Sequence, residues 1–183
     1  GLLLARDPYG IKPLYYADDG WSVRFASQVK ALLAGGGISR EIEPAGQIGF
    51  YLWGSVPEPF TVYRAVRALP AGSYLWIDSA GIDAPIHDFS LRRAWAEAEP
   101  VRCDAATRQE RIRAALLGSV QHHLVADVPV GAFLSAGIDS GALVGLASEL
   151  SPAPITTLCL AFDEYRDTPA DEAPLAAEVA RFY

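Results

Sequence analysis

The sequence predicts two parts in succession: an α+β part built on antiparallel strands, then an α/β part built on a parallel sheet. Three observations carry this. Apolar runs joined by turns rich in Asp, Pro and Gly occupy residues 2–26, which is how antiparallel strands are connected. Beyond residue 104, strand-like and helix-like segments alternate, as βαβ units require. Between them, residues 92–111 mix Arg, Glu and Ala around Pro100, a composition suited to a linker feeding a helix. The division is expected as residues 1–90, a linker at 91–103, and residues 104–183.

Taken in order, Leu2–Ala5 reads as a buried strand. Asp7-Pro8-Tyr9-Gly10 then places Asp, Pro and Gly where a type I turn takes them. Strands are expected at Pro13–Ala17 and Trp21–Ala26, the three forming an antiparallel meander. Ser27 is the expected N-cap of a helix at Gln28–Ala34 that stops at Gly35-Gly36-Gly37. A second helix is expected at Ile48–Trp53, behind Pro44. Ser73–Asp78 alternates as a strand does, and Ser79-Ala80-Gly81 turns after it.

In the second part, Ile112, Leu116, Val120 and Leu124 recur every four residues and give a helix over Ala105–Val125 one apolar face. A strand at Val130–Leu134, a helix at Ser140–Glu149, a strand at Ile155–Ala161 and a helix at Glu172–Phe182 follow. Two strands are too few for a stable doubly wound sheet, so the chain is read as a piece of a longer protein.

Composition excludes some functions. The formal charge of −7 argues against broad electrostatic binding to nucleic acid or anionic membrane. The longest uncharged run, Pro44 to Pro57, is too short and too rich in Gly and Pro to span a bilayer. Cys103 and Cys159 have neither paired nor metal-ligand spacing, so both are expected as buried, reduced thiols of a cytoplasmic protein.

The chemistry concentrates in Phe133-Leu134-Ser135-Ala136-Gly137-Ile138-Asp139-Ser140-Gly141, where a strand ends in a small-residue loop that opens a helix. Ligands of open α/β sheets bind at the carboxyl ends of strands. First-turn helix amides have no intrahelical partners and lie at the positive end of the helix dipole. Small side chains let backbone approach an anion, so phosphate is the natural guest. Asp139 can hold a magnesium ion bridging phosphate oxygens, and Ser135 and Ser140 can donate hydroxyl hydrogens to them. The loop lacks the lysine of a Walker A motif. An Asp or Ser N-cap after a strand gives the same bare pattern.

The fuller stretch Ala126-Asp127-Val128-Pro129-Val130-Gly131-Ala132-Phe133-Leu134-Ser135-Ala136-Gly137-Ile138-Asp139-Ser140-Gly141 resembles the pyrophosphate loop of glutamine-hydrolysing asparagine synthetases. Arg6-Asp7-Pro8-Tyr9-Gly10-Ile11-Lys12-Pro13-Leu14-Tyr15-Tyr16 and Phe25-Ala26-Ser27-Gln28-Val29-Lys30-Ala31-Leu32-Leu33 are similar to later strands of that family's glutaminase domain. Leu69-Pro70-Ala71-Gly72-Ser73-Tyr74-Leu75 is similar to the segment closing it.

The resemblance implies an incomplete Ntn-hydrolase-type first part and an incomplete adenine nucleotide alpha hydrolase-like second part. It implies ammonia released from glutamine, and aspartate activated by MgATP as β-aspartyl-AMP with pyrophosphate leaving. Ser135, Gly137, Asp139 and Ser140 would bind pyrophosphate and Mg2+, Asp139 as the metal ligand. Leu134 would meet the nucleotide, and Leu160 would sit where the family holds adenine, although a buried strand position reads equally as core. Aspartate, glutamine and ATP are the expected partners, with no nucleic acid or membrane, and a homodimer stays open. The glutaminase cysteine and the aspartate-site residues are expected outside these residues.

Ala136 stands where the family has glycine and Gly141 where it has serine. A β-carbon at 136 would matter if it crowded phosphate or if the position required positive φ. Two alternatives stay open: a β-lactam synthetase-like enzyme adenylating another carboxylate, and a degenerate, non-catalytic scaffold. Elsewhere, His122, His123 and His87 are expected on solvated surface. Arg6 and Asp7 could pair across their turn, and a structural role is expected for them because the turn chemistry already explains Asp7; Trp53 and Trp76 are expected to lie in core or domain interface.

Overall fold

The computed structural model describes all residues, Gly1–Tyr183. They form two compact units, Gly1–Pro100 and Val101–Tyr183. The first holds antiparallel sheets and the second a parallel strand pair between helices, a mixed α/β architecture.

In the first unit, β1 (Leu2–Ala5) pairs antiparallel with β5 (Ser73–Asp78), Leu4 standing opposite Leu75. Strand β5 also pairs with β6 (Gly81–Ile82) through the turn at residues 79–80, and with β7 (Ile86–His87). A second sheet has the order β3-β2-β4, from Val23–Ala26, Tyr15–Asp18 and Arg67–Ala68. The expected meander is therefore corrected: β1 and β2 belong to different sheets. The reason lies in residues 6–14. The Asp7 carbonyl accepts from Gly10 N–H at 3.0 Å, closing the predicted turn, and also from Gly72 N–H at 2.9 Å. That second bond fastens the turn to the start of β5 instead of to β2.

Helix α1 covers Val29–Ala34. Gln28, not Ser27, occupies its N-cap, with no side-chain bond. Helix α2 covers Pro44–Trp53 with proline in its first turn, and the Glu43 carboxylate caps Ala45 N–H at 3.4 Å. Its packing face is made of glycines. A β-carbon at Gly46 would stand 2.1 Å from the Thr61 carbonyl oxygen, and one at Gly49 would stand 2.2 Å from Pro57 Cδ. Only glycine lets this helix lie on the 57–61 segment. Its large residues face outward, Trp53 being 68% exposed and Tyr51 78%. Trp53 is thus not a core residue, nor is Trp76, which alternates to the open face of β5. Two apolar clusters form the core, one around Leu4, Leu69 and Leu75, the other around Ala17, Leu32 and Val66.

In the second unit, α4 (Ala105–His123) follows α3 (Leu91–Ala96), a short helix of the first unit that stands where a linker is expected. Asp104 caps α4 through Thr107 N–H at 2.7 Å. Of the predicted stripe only Val120 is buried; Ile112 is exposed. Strand β8 (Gly131–Phe133) pairs parallel with β9 (Thr156–Leu158), both shorter than expected. Helix α5 (Ile138–Leu150) connects them, and α6 (Ala173–Phe182) follows. Leu134, Val144 and Ala176 make the local core. No helix is long and apolar enough to cross a membrane.

Candidate functional site

Strand β8 carries its ladder one residue past its end: Leu134 N–H donates to the Leu158 carbonyl at 2.8 Å. Leu134 is buried, so its side chain anchors the strand end in the core. The chain then turns through Ser135, Ala136 and Gly137 into α5.

Hydroxyls organise that turn. Ser140 Oγ accepts from Ser135 N–H at 3.2 Å and lies 2.9 Å from Ser135 Oγ. Ser135 Oγ accepts from Gly137 N–H at 3.2 Å. A β-carbon at Gly137 would stand 3.2 Å from Ser135 Oγ, closer than such atoms comfortably approach, so glycine there makes room for the serine pair. Gly137 is the N-cap of α5, and no side chain caps the first-turn amides. The alternative that Asp139 or a serine serves merely as N-cap is therefore not what the chain does. The amides of Ile138, Asp139 and Ser140 open the helix at its positive end, the arrangement that suits an anion.

Asp139 stands in the first turn of α5, exposed, and takes part in none of the ion pairs. Nowhere do three or more His, Cys, Asp or Glu side chains gather as a metal cage. A single free carboxylate beside uncapped helix amides fits Mg2+, which is commonly held by one or two carboxylates together with substrate phosphates.

Ala136 does not adopt the conformation that would demand glycine. Asp167, at φ 61°, is the one non-glycine residue with positive φ. Gly141 is likewise unforced: its nearest neighbour for an added β-carbon is Val179 Cγ1 at 3.8 Å, ordinary contact. Neither departure from the family pattern distorts the loop.

Leu160 lies two residues past β9, at the same carboxyl end of the parallel pair as Leu134. It is 73% exposed, which removes its reading as plain core. It lines a cavity of about 340 Å³ with Phe162, Tyr165 and Asp171. The Phe162 and Tyr165 rings meet edge to face at 5.9 Å. These aromatics are not among the expected site residues; their three-residue spacing just after a strand is the signal that marks them. Ser135, Gly137, Asp139 and Ser140 are brought together across the loop and the first turn of α5, whereas the cavity holding Leu160 is lined by none of them.

Other expectations divide. His122 and His123 are exposed, each ring bonding back to the carbonyl four residues earlier, and His87 is exposed as well. Arg6 pairs with Glu58 rather than with Asp7, whose carboxylate is taken by the N–H groups of Tyr9, Ile11 and Lys12. Those bonds, Lys12 first, hold the Asp7 carboxyl below the usual carboxylate range. Cys159 is exposed and Cys103 half-buried, against the expectation of two buried thiols. Cys159 follows the last residue of β9, outside the ladder that would have enclosed it.

Comparison with known proteins matches each part separately. A family model described as "Glutamine amidotransferase domain" matches residues 1–89, and one described as "Asparagine synthase" matches residues 111–183. Asparagine synthetase [glutamine-hydrolyzing] 1 of Bacillus subtilis is 34% identical over 170 residues, which is 92% of this chain and 26% of the relative. A putative asparagine synthetase [glutamine-hydrolyzing] of Mycobacterium tuberculosis is 38% identical over 159 residues, 85% of this chain and 24% of the relative. Asparagine synthetase B [glutamine-hydrolyzing] of Escherichia coli is 32% identical over 148 residues, 80% of this chain and 21% of the relative. The chain spans about a quarter of the length of these relatives.

Proposed function

From a chain whose residues 1–89 belong to the glutamine amidotransferase domain family and whose residues 111–183 belong to the asparagine synthase family, we propose part of a glutamine-hydrolysing asparagine synthetase. In this reading, residues 1–90 are the later portion of an Ntn-type glutaminase domain and 91–103 the linker. Residues 104–183 begin an adenine nucleotide alpha hydrolase-like synthetase domain. The whole enzyme amidates aspartate in the cytoplasm, using ATP and ammonia drawn from glutamine. No residue of this chain is assigned to glutamine hydrolysis.

One observation carries the proposal: the uncapped start of α5, with Asp139 free in its first turn, stands at the carboxyl end of the parallel pair. An anion held there meets three first-turn amides and the helix dipole. When aspartate attacks the α-phosphorus of ATP, the bond to pyrophosphate breaks and negative charge grows on the leaving group. Donors aimed at that group stabilise the transition state more than the ground state. The amides of Ile138, Asp139 and Ser140 and the Ser135 hydroxyl take this role. Gly137 keeps the loop close enough for backbone contact. Asp139 would hold Mg2+, which neutralises phosphate charge when bound. Leu134 fixes the height of the loop, and Leu160 offers an apolar surface to the purine.

The test is ATP–pyrophosphate exchange by the full-length protein. Exchange that requires aspartate supports the proposal. Exchange that requires a different carboxylate moves the reading to a β-lactam synthetase-like enzyme, and no exchange with any carboxylate moves it to a non-catalytic scaffold.

A further inference from the structure

The two loop serines do not have equal freedom to serve a phosphate. A hydroxyl has one hydrogen and two lone pairs. One lone pair of Ser140 Oγ is filled by Ser135 N–H. Its hydrogen has three acceptors in reach: Ser135 Oγ at 2.9 Å, the Ser135 carbonyl at 3.3 Å and the Gly137 carbonyl at 3.2 Å. All three lie inside the loop, so the Ser140 hydrogen is used there whichever it selects. Phosphate oxygens only accept, so a hydroxyl without a spare hydrogen gives them nothing.

Ser135 differs. Its oxygen already accepts from Gly137 N–H. If Ser140 also donates to it, both lone pairs are filled and the Ser135 hydrogen points out of the pair. If Ser140 turns to a carbonyl instead, the Ser135 hydrogen turns inward to Ser140 Oγ. The pair therefore has two hydrogen-bond polarities, and only one presents a donor.

We propose that Ser140 is a positioning residue that sets this polarity, and that Ser135 alone of the two donates to the bound phosphate. The inference rests on the nucleotide reading above and narrows it. An anion on the loop selects the polarity in which Ser140 donates to Ser135.

The experiment measures MgATP and AMP affinity by calorimetry on the full-length protein, for wild type, Ser135→Ala, Ser140→Ala, Ser140→Thr and the double alanine variant. Losing a hydrogen bond to a charged group weakens binding about tenfold or more, so Ser135→Ala raises the MgATP Kd by that factor. Ser140→Ala raises it about threefold to tenfold, because Ser135 keeps its hydrogen but loses its orientation. The double variant matches Ser135→Ala within about twofold, since Ser140 acts only through Ser135. Ser140→Thr, which keeps the hydroxyl, stays near wild type and serves if Ser140→Ala fails to fold. AMP affinity stays within about twofold throughout, because AMP brings no pyrophosphate.

A double variant whose effect is the product of the two single effects overturns the proposal, as does a Ser140→Thr variant as weak as Ser140→Ala. Absence of MgATP binding by the wild type is a failure of the nucleotide reading itself. Amide exchange without ligand then decides the Ser140 clip. Faster exchange of Ser135 N–H in Ser140→Ala supports it, and unchanged exchange overturns it.

Discussion

The Arg6 guanidinium donates to the Glu58 carboxylate at 2.5 Å, tying the loop after β1 to a segment fifty-two residues away. The Arg6 side chain is only 8% exposed, and it also donates to the carbonyls of Lys12, Leu69 and Gly10 at 2.9, 2.7 and 2.9 Å. The other Glu58 carboxylate oxygen accepts from Ala71 N–H at 3.2 Å. A lysine has one ammonium and cannot reach four acceptors spread around a planar fork. Arg6→Lys is expected to lower unfolding stability by about 1–3 kcal/mol, chiefly the cost of leaving the carbonyl of buried Leu69 without its partner. Urea unfolding measures it, and a change below about 0.5 kcal/mol would contradict the hub.

Asp7 makes acid stability measurable at one residue. Its folded-state pKa is depressed, chiefly by the Lys12 and Ile11 N–H bonds. A group of this kind contributes stability above its unfolded pKa, about 3.9, and loses it as pH falls through the lower folded value. Wild type should therefore lose more stability between about pH 5 and pH 2 than Asp7→Asn, which has no carboxyl to protonate there. Parallel pH profiles for the two would refute this.

Gly46 and Gly118 separate close packing from helix propensity. Gly46→Ala drives its methyl group to 2.1 Å from the Thr61 carbonyl oxygen, so α2 must shift, at a cost of about 1–3 kcal/mol or more. Gly118, in α4, has nothing within 4 Å of its added carbon, and alanine there gains up to about 1 kcal/mol from helix propensity. Thermal unfolding of both variants should show opposite signs.

Local chemistry made several features legible. The Asp7–Gly10 turn, the Ser73–Asp78 strand and the loop into α5 were each announced by residues that act within a few positions, whereas α2 begins at Pro44, a turn earlier than the expected Ile48. What depended on distant partners was not legible. Pairing of β1 with β5 joins residues about seventy positions apart, and the Arg6–Glu58 pair spans about half of the first unit. Strand β4 consists of Arg67 and Ala68, too short for any period to register. The site followed the same division. The residue types on the loop suggested a phosphate, with a plain helix cap as the alternative. The unequal freedom of Ser135 and Ser140 came only from the distances between them.

Ala136→Gly tests whether the alanine impairs the loop. With φ in the ordinary range at 136, glycine relieves no strain and adds only chain flexibility. The expected outcome is a MgATP Kd within about threefold of wild type and a stability loss of about 0.5–1 kcal/mol. A large gain in affinity would identify the alanine methyl as an obstruction.

The most direct measurement is MgATP affinity of the full-length protein, by calorimetry, for wild type and Asp139→Asn with and without Mg2+. The account predicts that wild type binds and that Asp139→Asn weakens binding about tenfold or more with Mg2+ present and little without it. Equal affinity of the two proteins in Mg2+ would contradict the placement of magnesium pyrophosphate on the loop between β8 and α5.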